Sequence, residues 1–388
     1  MSITIESSDS PAPAPAGLEG VIAARTRVGD VRGREGFYHY GPYDAVALNR
    51  QRSLEDVWHL MLLGHLPSKA EQGAFARRIA PLQVLPTDLI PELQRLAGVI
   101  PFDALAALRT SLSWWAQRRQ LRSWIDTPRD EVFQSLLEIT AITPTLMAAL
   151  FRISNGLEPV QPHDGWSTAK NYLWMMNAVE PDDEHVWAIE RYLISTIDHG
   201  FNSSTFTARV ITSTGADAGA AIVGAIGALS GPLHGGAPSR ALDMLDAIGS
   251  PDRAESWIRH AVADGDRIMG FGHRVYKGED PRSTLLRDVA QQLGGPLAQF
   301  AATVEETIIR VLAELKPGRE LNTNVEFYAG VVMETCGVPR GMFTPTFACS
   351  RVIGWAAHIL EQIDNNRLIR PSSLYVGEPA PQLIPTIA

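Results

Sequence analysis

Apolar residues recur at three- and four-residue steps along most of the chain, and the runs are bounded by capping residues or glycines. After Ser53, the residues Leu54, Val57, Trp58, Met61 and Leu62 fall on one helical face, and Gly64 ends the run. Ser53-Leu54-Glu55-Asp56 and Ser68-Lys69-Ala70-Glu71 have the spacing of capping boxes. Thr127-Pro128 predicts an N-cap and a first-turn proline ahead of an apolar helix over 132–153, which Pro144 should kink or split. The same periodicity predicts helices over 182–197, 203–214, 218–230, 251–265, 297–315, 325–336 and 346–362. Only 17–43 reads differently. There the short runs Val21-Ile22-Ala23-Ala24 and Phe37-Tyr38-His39-Tyr40 lie between glycines and predict a small β-hairpin. With no alternation of strands and helices and no internal repeat, the predicted fold class is mostly α.

Composition narrows the setting. The 388 residues suffice for a large core and two domains. A net charge of −9 argues against nucleic acid as the main partner, so an anionic substrate would need locally placed arginines. Two cysteines, Cys336 and Cys349, are too few for a disulfide framework or a cysteine zinc site and fit a reducing compartment as buried small residues. The N-terminus lacks the charged and apolar regions of a signal peptide, and its Ser/Pro/Ala content predicts a disordered lead over 1–16. The uncharged stretch 218–233 is too short for a membrane span and contains Pro232. The expected location is the cytoplasm, and the tail after Gly377 is Pro-rich and expected to be loose.

Several common motifs are missing: there is no G-K-[ST] phosphate loop, no H-E-x-x-H and no nucleophile elbow, and Val275 replaces the third glycine of a dinucleotide fingerprint. His59, His65, His185 and His260 lie on helix faces and read as structural or solvated. The chemistry concentrates elsewhere. In Arg267-Ile268-Met269-Gly270-Phe271-Gly272-His273, two glycines permit a tight turn that presents His273, and Asp280-Pro281-Arg282 then enters a helix. In Gly231-Pro232-Leu233-His234-Gly235-Gly236-Ala237, His234 precedes a helix near Pro238, whose positive end would keep the ring neutral; a packed helix–helix turn is the alternative. Glu326 begins a helix of Val, Phe and Met, where burial would raise its pKa into the range of a base; it also fits a first-turn acid answering the helix dipole. Arg351 lies in an apolar helix and needs an anion, from protein or ligand, whereas Arg370 before Pro371 is equally a solvated turn. Together these residues suit a carboxylate that removes a proton beside a thioester carbonyl, histidines that stabilise an enolate and activate a ketone, and arginines that hold carboxylates.

At these residues the chain resembles the citrate synthase family, from Gly17-Leu18-Glu19-Gly20-Val21 to Arg370-Pro371-Ser372. The most specific stretches are G-P-L-H-G-G-A, G-F-G-H-R-V-Y…D-P-R, and N-S-S-T-F-T-A-R after Asp198-His199. The resemblance implies acetyl-CoA and oxaloacetate as substrates, and a reaction of the tricarboxylic acid cycle with no metal or redox cofactor. It implies that His234 polarises the acetyl thioester and that His273 meets the oxaloacetate carbonyl. Arg282, Arg351 and Arg370 of the partner subunit would clamp its carboxylates, and His199 and Asn202 would complete the pocket. Arg267, Ile268, Met269, Gly270, Phe271 and Gly272 would receive the CoA adenine. The implied architecture is a helical homodimer with a large domain, 17–234 and 338–388, and a small domain, 235–337, that closes over the site. One position departs from the pattern: the family has aspartate in N-V-D-F-Y, and this chain has Glu326. The extra methylene moves the carboxylate by about 1 Å. A 2-methylcitrate synthase using propionyl-CoA, or a weakened homologue that binds CoA or oxaloacetate, are the alternative readings.

Overall fold

The computed structural model describes residues 14–385 except 235, 236 and 274. Most of the predicted lead therefore lies outside the described residues, as do Gly235 and Gly236 of the His234 motif. A three-stranded antiparallel sheet opens the fold: β1 (Gly29–Arg32), β2 (Phe37–Tyr40) and β3 (Tyr43–Asp44), in that order, with Gly29 opposite Tyr40. Val21 to Ala24 forms no strand; it is an exposed or half-exposed segment, and pairing starts eight residues after Val21. The reason lies in β2, where Tyr38 and Tyr40 point inward and are buried, giving the strand a core face that Val21–Ala24 lacks.

The helices that follow are α1 (Ala45–Gln51), α2 (Leu54–Leu63), α3 (Lys69–Ile79), α4 (Ile90–Ala97), α5 (Ala104–Arg118) and α6 (Arg129–Ser154). At Ser68 the capping box is complete, but at Ser53 only half of it forms, because Asp56 turns away to accept from Gln72 Nε2. Pro144 does not split α6. The hydroxyls of Thr140 and Thr143 donate to the carbonyls of Leu136 and Ile139 in the turns ahead of it, and tight packing on all sides of its centre holds the helix together. This helix is long and apolar enough to cross a membrane, but 83% of its apolar window is buried inside the protein, as in a core helix.

The remaining helices are α7 (Thr168–Asn177), α8 (Asp183–Thr196), α9 (Ser203–Ser213), α10 (Ala218–Leu229), α11 (Ala237–Ile248), α12 (Pro251–Ala263), α13 (Pro281–Leu293), α14 (Gly295–Leu315), α15 (Val325–Thr335) and α16 (Phe343–Asp364). The core is built around α16, which packs on α2, α6, α8, α9 and α10 and is buried along nearly its whole length. Its register on α8 depends on Gly354, where a Cβ would lie 2.1 Å from the Ile197 carbonyl oxygen. No other residue fits so close an approach. The contact brings Arg351, Trp355 and His358 to the end of α8, where the chain turns through Asp198 and His199. Cys336 and Cys349 are buried and unpaired, as expected of small core residues.

Candidate active site

Three turns converge at the C-terminal end of α8. Tyr40 Oη donates to the Ile194 carbonyl at 2.9 Å, fixing the sheet against this end. Asp198 accepts from Gly200 N–H at 3.2 Å and pairs with His358 Nε2 at 3.1 Å, so the His199 turn is anchored to α16. His199 then reaches Tyr276 Oη at 3.0 Å and lies 5.7 Å, ring to ring, from His273. Asn202 closes the turn as the N-cap of α9: its Oδ1 accepts from Thr205 N–H, and its Nδ2 faces the Gly200 carbonyl and Thr205 Oγ1. All its polar atoms have protein partners, so within this chain it acts by shaping the turn.

The second turn holds His273. Gly270 and Gly272 have φ of +82° and +84°, and a Cβ on Gly270 would lie 2.9 Å from Phe327 Cβ. This glycine is required both by backbone sign and by space. The segment is joined to the residues leading into α15: Gly272 N–H donates to Asn322 O, Asn324 N–H to Gly270 O, and Asn324 Nδ2 to Gly272 O, all at 2.8–2.9 Å. Ile268 and Phe271 are core residues, Met269 is half-buried, and Arg267 is exposed. Past the loop, the backbone N–H groups of Val275 and Tyr276 both donate to His273 Nδ1 at 3.0 Å. An Nδ1 that accepts leaves the proton of the neutral ring on Nε2. Arg282 Nη2 approaches that Nε2 at 3.4 Å, and two donors facing each other form a natural seat for an acceptor oxygen.

His234 is fixed in the opposite sense. Ser204 N–H donates to its Nε2 at 3.3 Å and Ser204 Oγ lies 2.8 Å away, which leaves the proton on Nδ1. Ser204 is itself held by Trp355 Nε1 and Asn202 Oδ1. The sequence pattern suggested a helix terminus as the cause of neutrality; here burial is the larger cause and the charge of Arg351 the next, and together they lower the pKa of His234 to about 4. Burial, then Arg282, lowers His273 to about 4 as well. Burial also depresses His199 well below its usual value.

These shifts fix the sign of a stability prediction. Unfolded imidazoles titrate near 6.5, so between pH 6.5 and about 4 the unfolded chain binds protons that folded His234 and His273 refuse. Stability is greatest above pH 6.5 and falls as pH drops through this window, by on the order of 2–3 kcal/mol for each ring. Urea unfolding at pH 7 and pH 5 should show that loss, and His273→Gln should reduce its slope.

The charged groups differ in kind. Arg282 is buried and doubly bonded to Asp280, with Nε to Oδ1 at 3.0 Å and Nη2 to Oδ2 at 2.8 Å. Asp280 also caps α13 and accepts from Val325 N–H at 3.2 Å, which ties Arg282 to the start of α15. Arg351 is 2% exposed, and among the described residues no carboxylate lies in ion-pair range of it. Its Nε donates to the Thr196 carbonyl at 2.8 Å, its guanidinium stands 4.5 Å from the Phe347 ring, and burial lowers its pKa to about 10. The charge of Asp198 opposes that shift from beyond ion-pair range, and the guanidinium has no carboxylate in direct contact, which leaves room for a ligand anion. Glu326 is largely buried at the second position of α15; burial raises its pKa above 4.5 against the pull of Arg282 and Arg267. Arg370 is exposed and stands apart from these groups. Ile369 beside it donates to Ser213 Oγ, at the far end of α9, about 16 Å along the helix from Asn202.

The site also uses residues that the sequence pattern did not single out: Tyr276, Asp280, Ser204, Trp355 and His358. The signal for Asp280 was visible in Asp280-Pro281-Arg282, because an N-cap acid two residues before an arginine can hold both.

Known proteins resemble the chain along nearly its whole length. Residues 17–372 match the family described as citrate synthase, C-terminal domain. The chain is 38% identical over 372 residues to citrate synthase 2 of Bacillus subtilis (strain 168), covering 95% of this chain and 97% of that protein. It is 35% identical over 366 residues to a citrate synthase of Synechocystis sp., covering 93% and 90%. Among solved structures it is similar to citrate synthase from Thermotoga maritima MSB8, with a TM-score of 0.83 at 33% identity over 95% of this chain and 97% of that one. The ternary complex of carboxymethyl coenzyme A and oxaloacetate with citrate synthase from Thermoplasma acidophilum gives a TM-score of 0.86 at 28% identity, over 95% and 98%.

Proposed function

Because the chain belongs to the citrate synthase family, we propose that it condenses acetyl-CoA with oxaloacetate and hydrolyses the resulting thioester to citrate and CoA. The observation that carries this reading is the pair of histidines fixed as opposite donors, Nδ1–H on His234 and Nε2–H on His273, in a pocket whose buried Arg351 has no described carboxylate in direct contact.

Glu326 takes the proton from the methyl carbon of the acetyl thioester, and its raised pKa suits a base that acts near neutrality. His234 donates from Nδ1 to the thioester oxygen as the enolate forms; a neutral donor does this without leaving a cation buried in the site. The enolate carbon attacks the ketone carbon of oxaloacetate, while His273 Nε2–H stabilises the developing alkoxide. Arg282 and Arg351 hold the two carboxylates, with His199 and Tyr276 forming the adjacent wall. Water then cleaves the citryl thioester. The loop from Arg267 to Gly272 receives the CoA adenine, with exposed Arg267 available to its phosphates. No metal or redox step enters this sequence.

Arg370 is outside its own chain's site, which supports a homodimer in which it completes the pocket of the neighbour. Residues 235–337 act as the domain that closes over the substrates, and the enzyme works in the cytoplasm within the tricarboxylic acid cycle. The test is steady-state CoA release with oxaloacetate, comparing acetyl-CoA and propionyl-CoA. We expect acetyl-CoA to be preferred by roughly 10- to 200-fold in kcat/KM, the scale set by one methylene in a fitted pocket. Preference for propionyl-CoA would make it a 2-methylcitrate synthase, and tight oxaloacetate binding with no release from either thioester would make it a binding homologue.

A further inference from the structure

One cluster away from the reacting groups carries ligand chemistry that the condensation does not use. At the end of α2 the chain reverses at Gly64, with φ of +81°, and passes through His65 to the Ser68 cap of α3. The turn gathers His59, His65 and Glu71: one ring nitrogen of each histidine and one carboxylate oxygen all lie within 4.8 Å of one another. Both rings are oriented by backbone carbonyls. His59 Nδ1 lies 3.0 Å from the His65 carbonyl oxygen, and His65 Nδ1 lies 3.2 Å from that of Leu63. A carbonyl and a carboxylate only accept, so both Nδ1 atoms carry protons, the neutral ring of His59 keeps a lone pair on Nε2, and His65 Nε2 donates to Glu71 Oε1, a proton that a metal ion would displace. Proteins fix metal-binding imidazoles in this way. Glu71 is held as firmly. Its Oε2 accepts from Ser68 N–H at 2.8 Å and Ser68 Oγ at 2.7 Å, while Oε1 faces His65 Nε2 at 3.2 Å.

We propose that His59, His65 and Glu71 form a binding site for a divalent transition ion of the zinc class, with solvent completing its coordination. Two imidazoles and one carboxylate suit such an ion, whereas calcium and magnesium favour oxygen donors throughout. His59 is 3% exposed, while the His65 and Glu71 side chains are 55% and 46% exposed. The ion therefore enters from solvent and rests against a buried ligand. Bonds of about 2 Å place neighbouring tetrahedral ligands roughly 3.3 Å apart, so the widest separation closes by up to about 1.5 Å, which rotation of the two exposed side chains supplies. The bound ion would fasten the end of α2 to the first turn of α3 without touching the reacting groups.

The experiment uses the whole enzyme, stripped with a chelator and dialysed against micromolar Zn²⁺, with bound metal counted by elemental analysis. Co²⁺ substitution then reports the ligands through its visible absorption. We expect about one ion per chain, and at least a 10-fold loss of affinity in His65→Gln and in Glu71→Gln, with citrate synthase turnover unchanged in both. Gln at position 71 keeps an acceptor for the Ser68 cap, so the fold of α3 survives the substitution. Failure of the wild-type enzyme to retain zinc, or equal retention by both variants, would overturn the proposal.

Discussion

Glu326→Gln lowers kcat by roughly 10²- to 10⁴-fold, the range that a positioned general base contributes, while KM for oxaloacetate stays within a few-fold of wild type. The amide keeps the size and hydrogen bonding of the side chain but cannot take a proton, so the loss falls on the chemical step alone. Glu326→Asp separates reach from basicity. It retracts the carboxylate by about 1 Å, and a displacement of that order costs up to ~10²-fold when the backbone is set for the longer side chain. The pH profile supplies an independent check. The base must be unprotonated, so kcat/KM rises with pH through the pKa of Glu326, which burial holds above 4.5. His234 and His273, lowered to about 4, are neutral at the pH of the assay plateau. Stopped-flow or steady-state assays of both variants decide the matter: full turnover in Glu326→Gln would remove the residue from the mechanism.

The second large effect is a contrast between the two arginines. Arg351→Met should raise KM for oxaloacetate by roughly 10²- to 10³-fold, because truncating one partner of a buried, hydrogen-bonded charge pair costs about 2–5 kcal/mol. Its effect on the stability of the empty protein should be within about 1 kcal/mol. The substitution removes a desolvated cation with no carboxylate in direct contact, and this offsets the lost bond to the Thr196 carbonyl and the longer-range attraction of Asp198. Arg282→Met weakens oxaloacetate binding by a similar factor, but it also strands Asp280, which is 1% exposed, and should destabilise the protein by about 3–5 kcal/mol. Urea unfolding alongside kinetics distinguishes the two, and equal destabilisation by both would contradict the assignment of Arg351 to a ligand.

Much of this was legible in the residues themselves. Period and caps gave most helices because local chemistry and tertiary burial agree there: Ser68 with Glu71, Asn202 before α9, Gly64 in the left-handed region. Caps were present but passed over at Asp103 and Ser167, whose side chains accept from the third residue of α5 and α7. Pro144 was misread because a local rule about proline was outweighed by packing around the whole of α6. Val21–Ala24 failed for the converse reason: apolar content without a buried face does not make a strand. At the site, the chemistry-bearing types could be named from motifs, but their tautomers could not. Those depend on Ser204, Val275 and Tyr276, whose backbone N–H groups carry no mark in the sequence. Arg282 and Arg351 look alike as letters, and only the fold shows that one brings its own carboxylate and the other does not.

The charge of the two buried arginines also bears on the sequence of events within one turnover. An empty pocket with Arg282 and Arg351 side by side is a trap for a dianion, and it strengthens as water is excluded. A dicarboxylate bound there adds negative charge beside Arg282, whose pull is the larger of the two that lower the pKa of Glu326, so its arrival makes the carboxylate a stronger base. The dicarboxylate would thereby prime the base that acts on the acyl donor, a link between the two substrates carried by the charge of Arg282.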